Sequence, residues 1–407
     1  MPPSVAIVHS PGSFHPLEVF QHVAGQAELI WALAGQAEEP AMARLLPKLG
    51  RVLDISGLDA GQVADALAPL GPDGVVTFLD RHLCLAAEVA ARLGLPYHSP
   101  EVAARLVDKR LQRQALAAAG VPGPRFWPIA DGASRAEVAG LAEQVAYPAV
   151  LKPALGSDSR GVALVAGAAE LVEAAGDGQG YLVESVLVPA PGTPAWRSAD
   201  LRVESVASPA GLSHLVVRGV FPVTEPFRLT GTYLPAELSR EEEDQVLGVV
   251  GAALEALGIT TGVVDTELRM TPQGPAVIEV NGRVAGTVPF LLAEVSEVDL
   301  FQLACAVATG AAPSYRGPVA CREVAYSWRL HPPVGASRLV CLEGVEELKA
   351  QVPEVGTVSV RLRPGDAVDW RQGTSSVVAI VQGRAAGHAQ LESALARVKS
   401  LLRAAFE

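Results

Sequence analysis

Short apolar runs and amphipathic stretches alternate through the first hundred residues. "SVAIVHS" (4–10), "AELIWALA" (27–34), "RVLDISG" (51–57) and "DGVVTFLD" (73–80) have the length and branched or aromatic content of buried strands. A helix-like stretch near residues 16–24 and "RHLCLAAEVAARLGLP" (81–96), with its glycine stop, carry the longer helical period. Strands alternating with helices predict a parallel sheet. No G-x-G-x-x-G follows the first strand, so a dinucleotide fingerprint is absent. Residues 1–104 read as a small open α/β domain.

The rhythm then changes. "EVAARLVDKRLQRQALAAAG" predicts one helix ending at Gly120, stopped by "VPGP". Residues 136–175 read helix, strand, Gly/Ser loop, strand, helix, and "GYLVESVLV" (180–188) is a further strand. "PAPGTPAWRSAD" (189–200) is a turn-rich excursion. Two strands follow (201–211 and 212–221), then a helix with Ser239 as its N-cap and acids in its first turn. "GVVDTELRMTPQGPAVIEVNGRVAG" (262–286) is a hairpin turning at "TPQGP". From about 311 the chain is strand-rich and closes with a helix over 388–405. Three units are expected: 1–104, 105–310 with a lid portion at about 125–187, and a C-terminal α+β unit, 311–407.

Composition narrows the function. The 407 residues are 49% hydrophobic and 19% charged, which supports large cores and disfavours disorder. A net charge of -12 disfavours unspecific nucleic-acid binding and an electrostatic hold on anionic membranes. Four cysteines without C-x-x-C spacing fit a reducing compartment. The N-terminus lacks the pattern of a secretory signal, so a cytoplasmic location is expected. Only five of the 32 basic residues are lysine. A lysine kept beside a glycine loop therefore carries information: a slim ammonium reaches a phosphate in places too narrow for a broad guanidinium.

Two stretches carry candidate chemistry. In the hairpin, Glu267 and Glu279 can stand side by side on paired strands, and Asn281 shares the face of Glu279. Adjacent carboxylates are unfavourable without a cation between them. Three hard oxygens suit Mg²⁺ shared with phosphates; a solvated hairpin face is the plainer alternative. Arg283, two residues further on, extends over the same site. In "AVLKPALGSDSRGV" (149–162), Lys152 precedes a loop whose backbone N–H groups can wrap phosphates. The order is opposite to G-x-x-x-x-G-K-[ST].

Together these pieces resemble the ATP-grasp superfamily, in its order: "DKRLQRQALAAAGVPGP", "YPAVLKPALGSDSRGV", "YLVESVL" and "DTELRM…VIEVNGR". The resemblance covers nearly the whole chain. It implies an N-terminal α/β domain, a two-subdomain clamp on ATP and a strand-rich C-terminal domain. It assigns Lys109 and Lys152 to the nucleotide, with Ser157, Ser159 and Gly161 in the phosphate-covering loop. Glu184 and Leu187 fall at the adenine hinge, and Asp200 at the ribose. Glu267, Glu279 and Asn281 fall at the metal positions, for two Mg²⁺ or alternatively Mn²⁺. Arg283 is the implied catalytic arginine, assisted by Lys152. Asp158 departs from the pattern, standing where glycine is usual. The C-terminal stretch resembles that of amino-acid ligases that make dipeptides, and more distantly that of biotin carboxylase. The implied activity is joining an amino acid or related carboxylate to an amine or amino acid through an acylphosphate, releasing ADP and phosphate, in biosynthesis of a dipeptide-like or specialised metabolite. A carboxylase or formyl-transferring relative and an inactive nucleotide-binding regulator stay open. The implied partners are a small-molecule carboxylate and an amine, with neither nucleic acid nor membrane; homodimers occur among relatives. Trp196, in the excursion after the hinge, is a candidate nucleotide neighbour.

Overall fold

β1 (Ser4–His9), β2 (Glu28–Leu33), β3 (Arg51–Asp54) and β4 (Gly74–Val76) form a parallel sheet in the order β3-β2-β1-β4. Every residue of β1 is buried, as a strand covered on both faces must be. On one face lie the helices Ala60–Leu67 and Leu83–Leu93; on the other, Ile7 and Trp31 share a core with Phe301 and Leu303. The helix Leu300–Ala308 thus returns from late in the sequence to cover this sheet. The structure is a computed structural model that describes residues 2–12, 14–35, 39–176, 178–225 and 227–407.

A second sheet is antiparallel: β5 (Phe126–Ile129), β6 (Ala149–Pro153), β7 (Ala163–Val165) and β8 (Tyr181–Ser185), in the order β5-β8-β6-β7. Val138 and Leu171, from two flanking helices, close its core against Leu151 and Val183.

The largest sheet has eight strands, β13-β12-β9-β10-β11-β14-β17-β16. They are β9 (Asp200–Ser208), β10 (Gly211–Val220), β11 (Gly231–Leu234), β12 (Gly262–Thr271), β13 (Gly274–Asn281), β14 (Val324–Leu330), β16 (Val355–Val360) and β17 (Ala379–Ala385). Alternation gives it two characters. Leu201, Val203 and Val264 pack under the helix Arg240–Leu257, which starts at a Ser239–Glu242 capping box. Arg202, Arg218 and Glu267 face the opposite way, into a cleft. β14 pairs with β11, so the sheet runs without a break across residue 310. β15 (Leu339–Glu343) pairs with β18 (Arg403–Phe406) at the periphery.

Two local expectations change. The single helix expected up to Gly120 is two, Pro100–Val107 and Lys109–Ala118. Asp108 leaves helical geometry (φ -92, ψ 109), and its carboxylate accepts from the Arg110 N–H at 2.8 Å, capping the second helix. Lys109 thereby becomes a first-turn residue, and its N–H bonds Ala154 O at 3.0 Å beside the Gly/Ser loop. The C-terminal helix ends at Leu401 rather than about 405. "RAAF" has helical propensity, yet its ladder with β15 prevails. Among the described residues, no helix is long and apolar enough to cross a membrane.

Candidate active site

The cleft, about 310 Å³, lies between the β6–β7 loop and the polar face of the large sheet. Its floor is set by register. Glu267 on β12 stands directly opposite Glu279 on β13, with Arg202 on β9 opposite Glu267 and Arg218 on β10 opposite Arg202. Asp265, two residues before Glu267 and fully buried, shares that face. Arg202 bridges Asp265 (3.1 Å) and Glu267 (2.8 Å); Arg218 bridges Asp265 (2.6 Å) and Glu204 (2.9 Å). Burial pushes the Glu267 carboxyl above its usual range against the pull of Arg202, and the Asp265 and Glu279 charges add to that rise. Burial also works against Asp265, but Arg218 and Arg202 hold it below the usual range.

The lysines converge from other elements. Lys109 Nζ lies 3.0 Å from Glu279 Oε1 and donates to Gly156 O at 2.6 Å, joining floor to loop. Burial alone would favour neutral Lys109, and the Glu279 carboxylate outweighs it. Lys152 Nζ, on β6, is 2.6 Å from Glu184 Oε2 on β8. Arg113 takes the other oxygen at 2.7 Å and donates to the Val277 and Ile278 carbonyls of β13. Glu184 is buried, yet these two cations hold its carboxyl below the usual range. The expected hinge residue is thus an electrostatic joint between the lid sheet and the floor. Leu187 lines the cleft, and its carbonyl accepts from Arg269 at 2.9 Å. Asp200 lines it too, in a two-point pair with Arg269 at 2.5 and 2.9 Å.

In the loop, Ser157, Asp158 and Ser159 line the cleft, but Gly161 does not. Asp158 and Ser159 both have positive φ (61° and 57°). Asp158 O accepts from Thr374 N–H at 2.9 Å, and its carboxylate accepts from Ser375 Oγ at 3.0 Å. Ser159 Oγ donates to Phe227 O at 3.0 Å. The acid that departs from the glycine pattern therefore fastens the loop tip to the segment Trp370–Ser375. Gly373, at φ +63°, permits the approach: a Cβ there would lie 2.1 Å from Asp158 O.

Arg283 lines the cleft and pairs with Asp80, just beyond β4 of the parallel sheet, at 2.8 Å. Asn281 donates to Glu267 at 3.2 Å through its nitrogen. Its oxygen makes no hydrogen bond among the described residues and joins the two carboxylates as a hard donor. That donor set fits a magnesium-type ion bound jointly with phosphate oxygens. Among the described residues, no group of three or more His, Cys, Asp or Glu side chains forms a metal cage. Trp196 does not line the cleft; it packs on Tyr233 (5.1 Å between rings) and Phe221 (6.4 Å).

Sequence reasoning missed Asp265, Arg202, Arg218, Arg113 and Asp80. Asp265 had a signal, because it shares the two-residue alternation of Glu267. The others had none: Asp80 lies 203 residues from Arg283, and only the fold brings them together.

No family model matches the chain. It is 29% identical over 367 residues to an uncharacterized protein, y4rH, of Sinorhizobium fredii, covering 84% of this chain and 71% of that one. It is 30% identical over 259 residues to carnosine synthase 1 of Homo sapiens, covering 60% of this chain and only 31% of that protein. Among solved structures, an L-amino acid ligase from Bacillus licheniformis superposes with a TM-score of 0.79 at 21% identity, over 100% of this chain and 99% of the other. A carboxyaminoimidazole ribonucleotide synthase from Aspergillus clavatus, complexed with ATP, superposes with a TM-score of 0.72 at 16% identity, over 98% of each chain. Whole-chain superposition on these enzymes shows that the chain has the ATP-grasp fold.

Proposed function

We propose that the chain is an ATP-dependent carboxylate–amine ligase that joins an amino acid or related carboxylate to an amine, releasing ADP and phosphate. The observation that carries this reading is the ladder Glu279–Glu267–Arg202, met from above by Lys109 and Lys152 in one cleft. The L-amino acid ligase neighbour and the carnosine synthase relatives support it. ATP would lie between the β6–β7 loop and the floor, with its base beside Val186 and Leu187 and its ribose near Asp200. The same reading divides the chain at about 104 and 310.

Glu267, Glu279 and Asn281 would hold Mg²⁺, which when bound neutralises phosphate oxygens and orients them. Lys109 and Lys152 supply further positive charge, and Glu184 keeps Lys152 aimed into the cleft. Ser157, Ser159 and the amides up to Gly161 form the loop over the phosphates and exclude water. A carboxylate oxygen of the donor attacks the γ-phosphorus, the bond to ADP breaks, and an acylphosphate forms. The amine nitrogen then attacks the acyl carbon, phosphate leaves and the amine loses a proton. Arg283, pinned by Asp80, is placed to stabilise the oxyanion of both steps. Phosphoryl transfer asks for this positioning and charge more than for covalent help.

The test is a screen of amino-acid pairs for ADP formation, with mass spectrometry of the product. Turnover that requires both a carboxylate and an amine supports the ligase. Dependence on bicarbonate, or ATP binding without turnover across the screen, overturns it.

A further inference from the structure

Among the described residues, eight cationic side chains line the cleft, and seven of them have a carboxylate within 3.3 Å. The eighth, Arg329, has no ion pair and no side-chain hydrogen bond among the described residues; its backbone N–H bonds Thr230 O. A guanidinium in a cleft without an anion is costly, and this one is worse placed than most. Burial, together with the Arg202 and Arg218 guanidiniums, lowers it to about 10; Asp158 pulls the other way but is itself committed to Ser375 and Arg160.

Register locates it. Arg329 lies on β14, on the same sheet face as Ser327, which is opposite Thr232 of β11. That face continues through Arg218 and Arg202 to Glu267, four strands away. The Leu187 carbonyl is tied by Arg269 to β12, four strands from β14, so Arg329 sits toward the opposite end of the cleft. On the ligase reading the phosphates would meet Lys109 and Lys152, and the reacting oxyanions Arg283. Arg329 is left for a second anion.

Resting on the ligase reading above, we propose that Arg329 anchors the free carboxylate of the amine substrate, making that substrate an amino acid rather than a simple amine. The chemistry selects the group. The donor's carboxylate is consumed by activation, whereas an amine-bearing amino acid keeps its own through both steps. A planar guanidinium fits such a carboxylate at two points.

The experiment takes the most active pair from the screen and presents its amine partner both as the free amino acid and as the carboxamide. In Arg329→Ala, KM for the free amino acid should rise about 10- to 100-fold, the loss expected for one charge-assisted contact. The carboxamide KM and the ATP KM should stay within about 3-fold, and Arg329→Lys should recover part of the loss. Equal losses for acid and carboxamide overturn the proposal. So does a rise confined to the ATP KM, which would make the anion a phosphate, or a loss that follows an acidic side chain on the donor. If Arg329→Ala fails to fold, the acid-to-carboxamide ratio in Arg329→Lys against wild type decides. A wild type that turns over no pair sinks the ligase reading and this proposal with it; a wild type that turns over while the ratio is unmoved in the variants sinks this proposal alone.

Discussion

The floor of the cleft and the loop above it are both crowded with charge, but they are held in place by different means. On the floor, Asp265 and Glu204 are fully buried and Arg218 nearly so, and their neighbours are fixed by strand register. In the loop, Asp158 and Arg160 are about half exposed, at 44% and 55%, and the tip is held by single hydrogen bonds to Phe227, Thr374 and Ser375. A ladder keeps its shape when one side chain is changed, so a floor variant loses chemistry and keeps geometry. A loop pinned at three points changes position when a pin is lost, so a loop variant should alter binding before it alters chemistry.

The largest effect should come from the floor. Glu279→Gln keeps the size and the strand but removes the charge that faces Lys109 and that the proposed Mg²⁺ would need, and turnover should fall about 10³-fold in steady-state phosphate release. A wild-type rate in that variant ends the site assignment. Next is the joint between the two sheets. Arg113→Ala leaves Glu184 with Lys152 alone and strands two β13 carbonyls; the cost should be about 3–5 kcal/mol, read as a lower urea midpoint. The same joint sets a pH dependence. Lys152 and Arg113 hold the folded-state Glu184 carboxyl below its unfolded value of about 4.3. Its contribution is therefore complete above that value and is lost as the pH falls through the folded one. Thermal melts from pH 5 to pH 3 should show a steeper loss in wild type than in Glu184→Gln; parallel slopes would remove Glu184 from the account.

The contrast also explains what could be read from the chain. That Glu267 and Glu279 lie close across one turn is a local quantity, but pairing carried straight from the Thr271–Gly274 turn would set Glu267 opposite Ile278, and a bulge after Glu267 shifts the register so that the two acids stand face to face. The parallel order of the first sheet is equally local, because each strand is followed by its covering helix. Arg202 and Arg218 were invisible because nothing in a strand's sequence says which strand will lie beside it. The split at Asp108 was masked by a helical period that runs straight through it, while the capping preference of aspartate was the one signal present. Asp158 could be marked as out of pattern, but its partners Thr374 and Ser375 lie more than two hundred residues on.

Those partners give the smallest and most discriminating effects. Gly373 has a left-handed φ and no room for a Cβ against Asp158 O, so Gly373→Ala must either displace the loop tip or strain the segment that holds it. A left-handed alanine costs about 1–2 kcal/mol, and if the closed cleft bears that cost, the ATP KM should rise about 5- to 20-fold with kcat nearly unchanged. Ser375→Ala removes only one exposed hydrogen bond to Asp158 and should raise the ATP KM no more than about 3-fold. The order of the two matters more than either value. Position-holding by the latch predicts that both variants move KM together and that Gly373→Ala moves it further. If Asp158 instead touched the phosphates directly, Ser375→Ala would free its carboxylate and lower kcat, and Gly373→Ala would matter less; a kcat loss in Ser375→Ala with an unchanged KM would therefore move Asp158 from the latch to the chemistry.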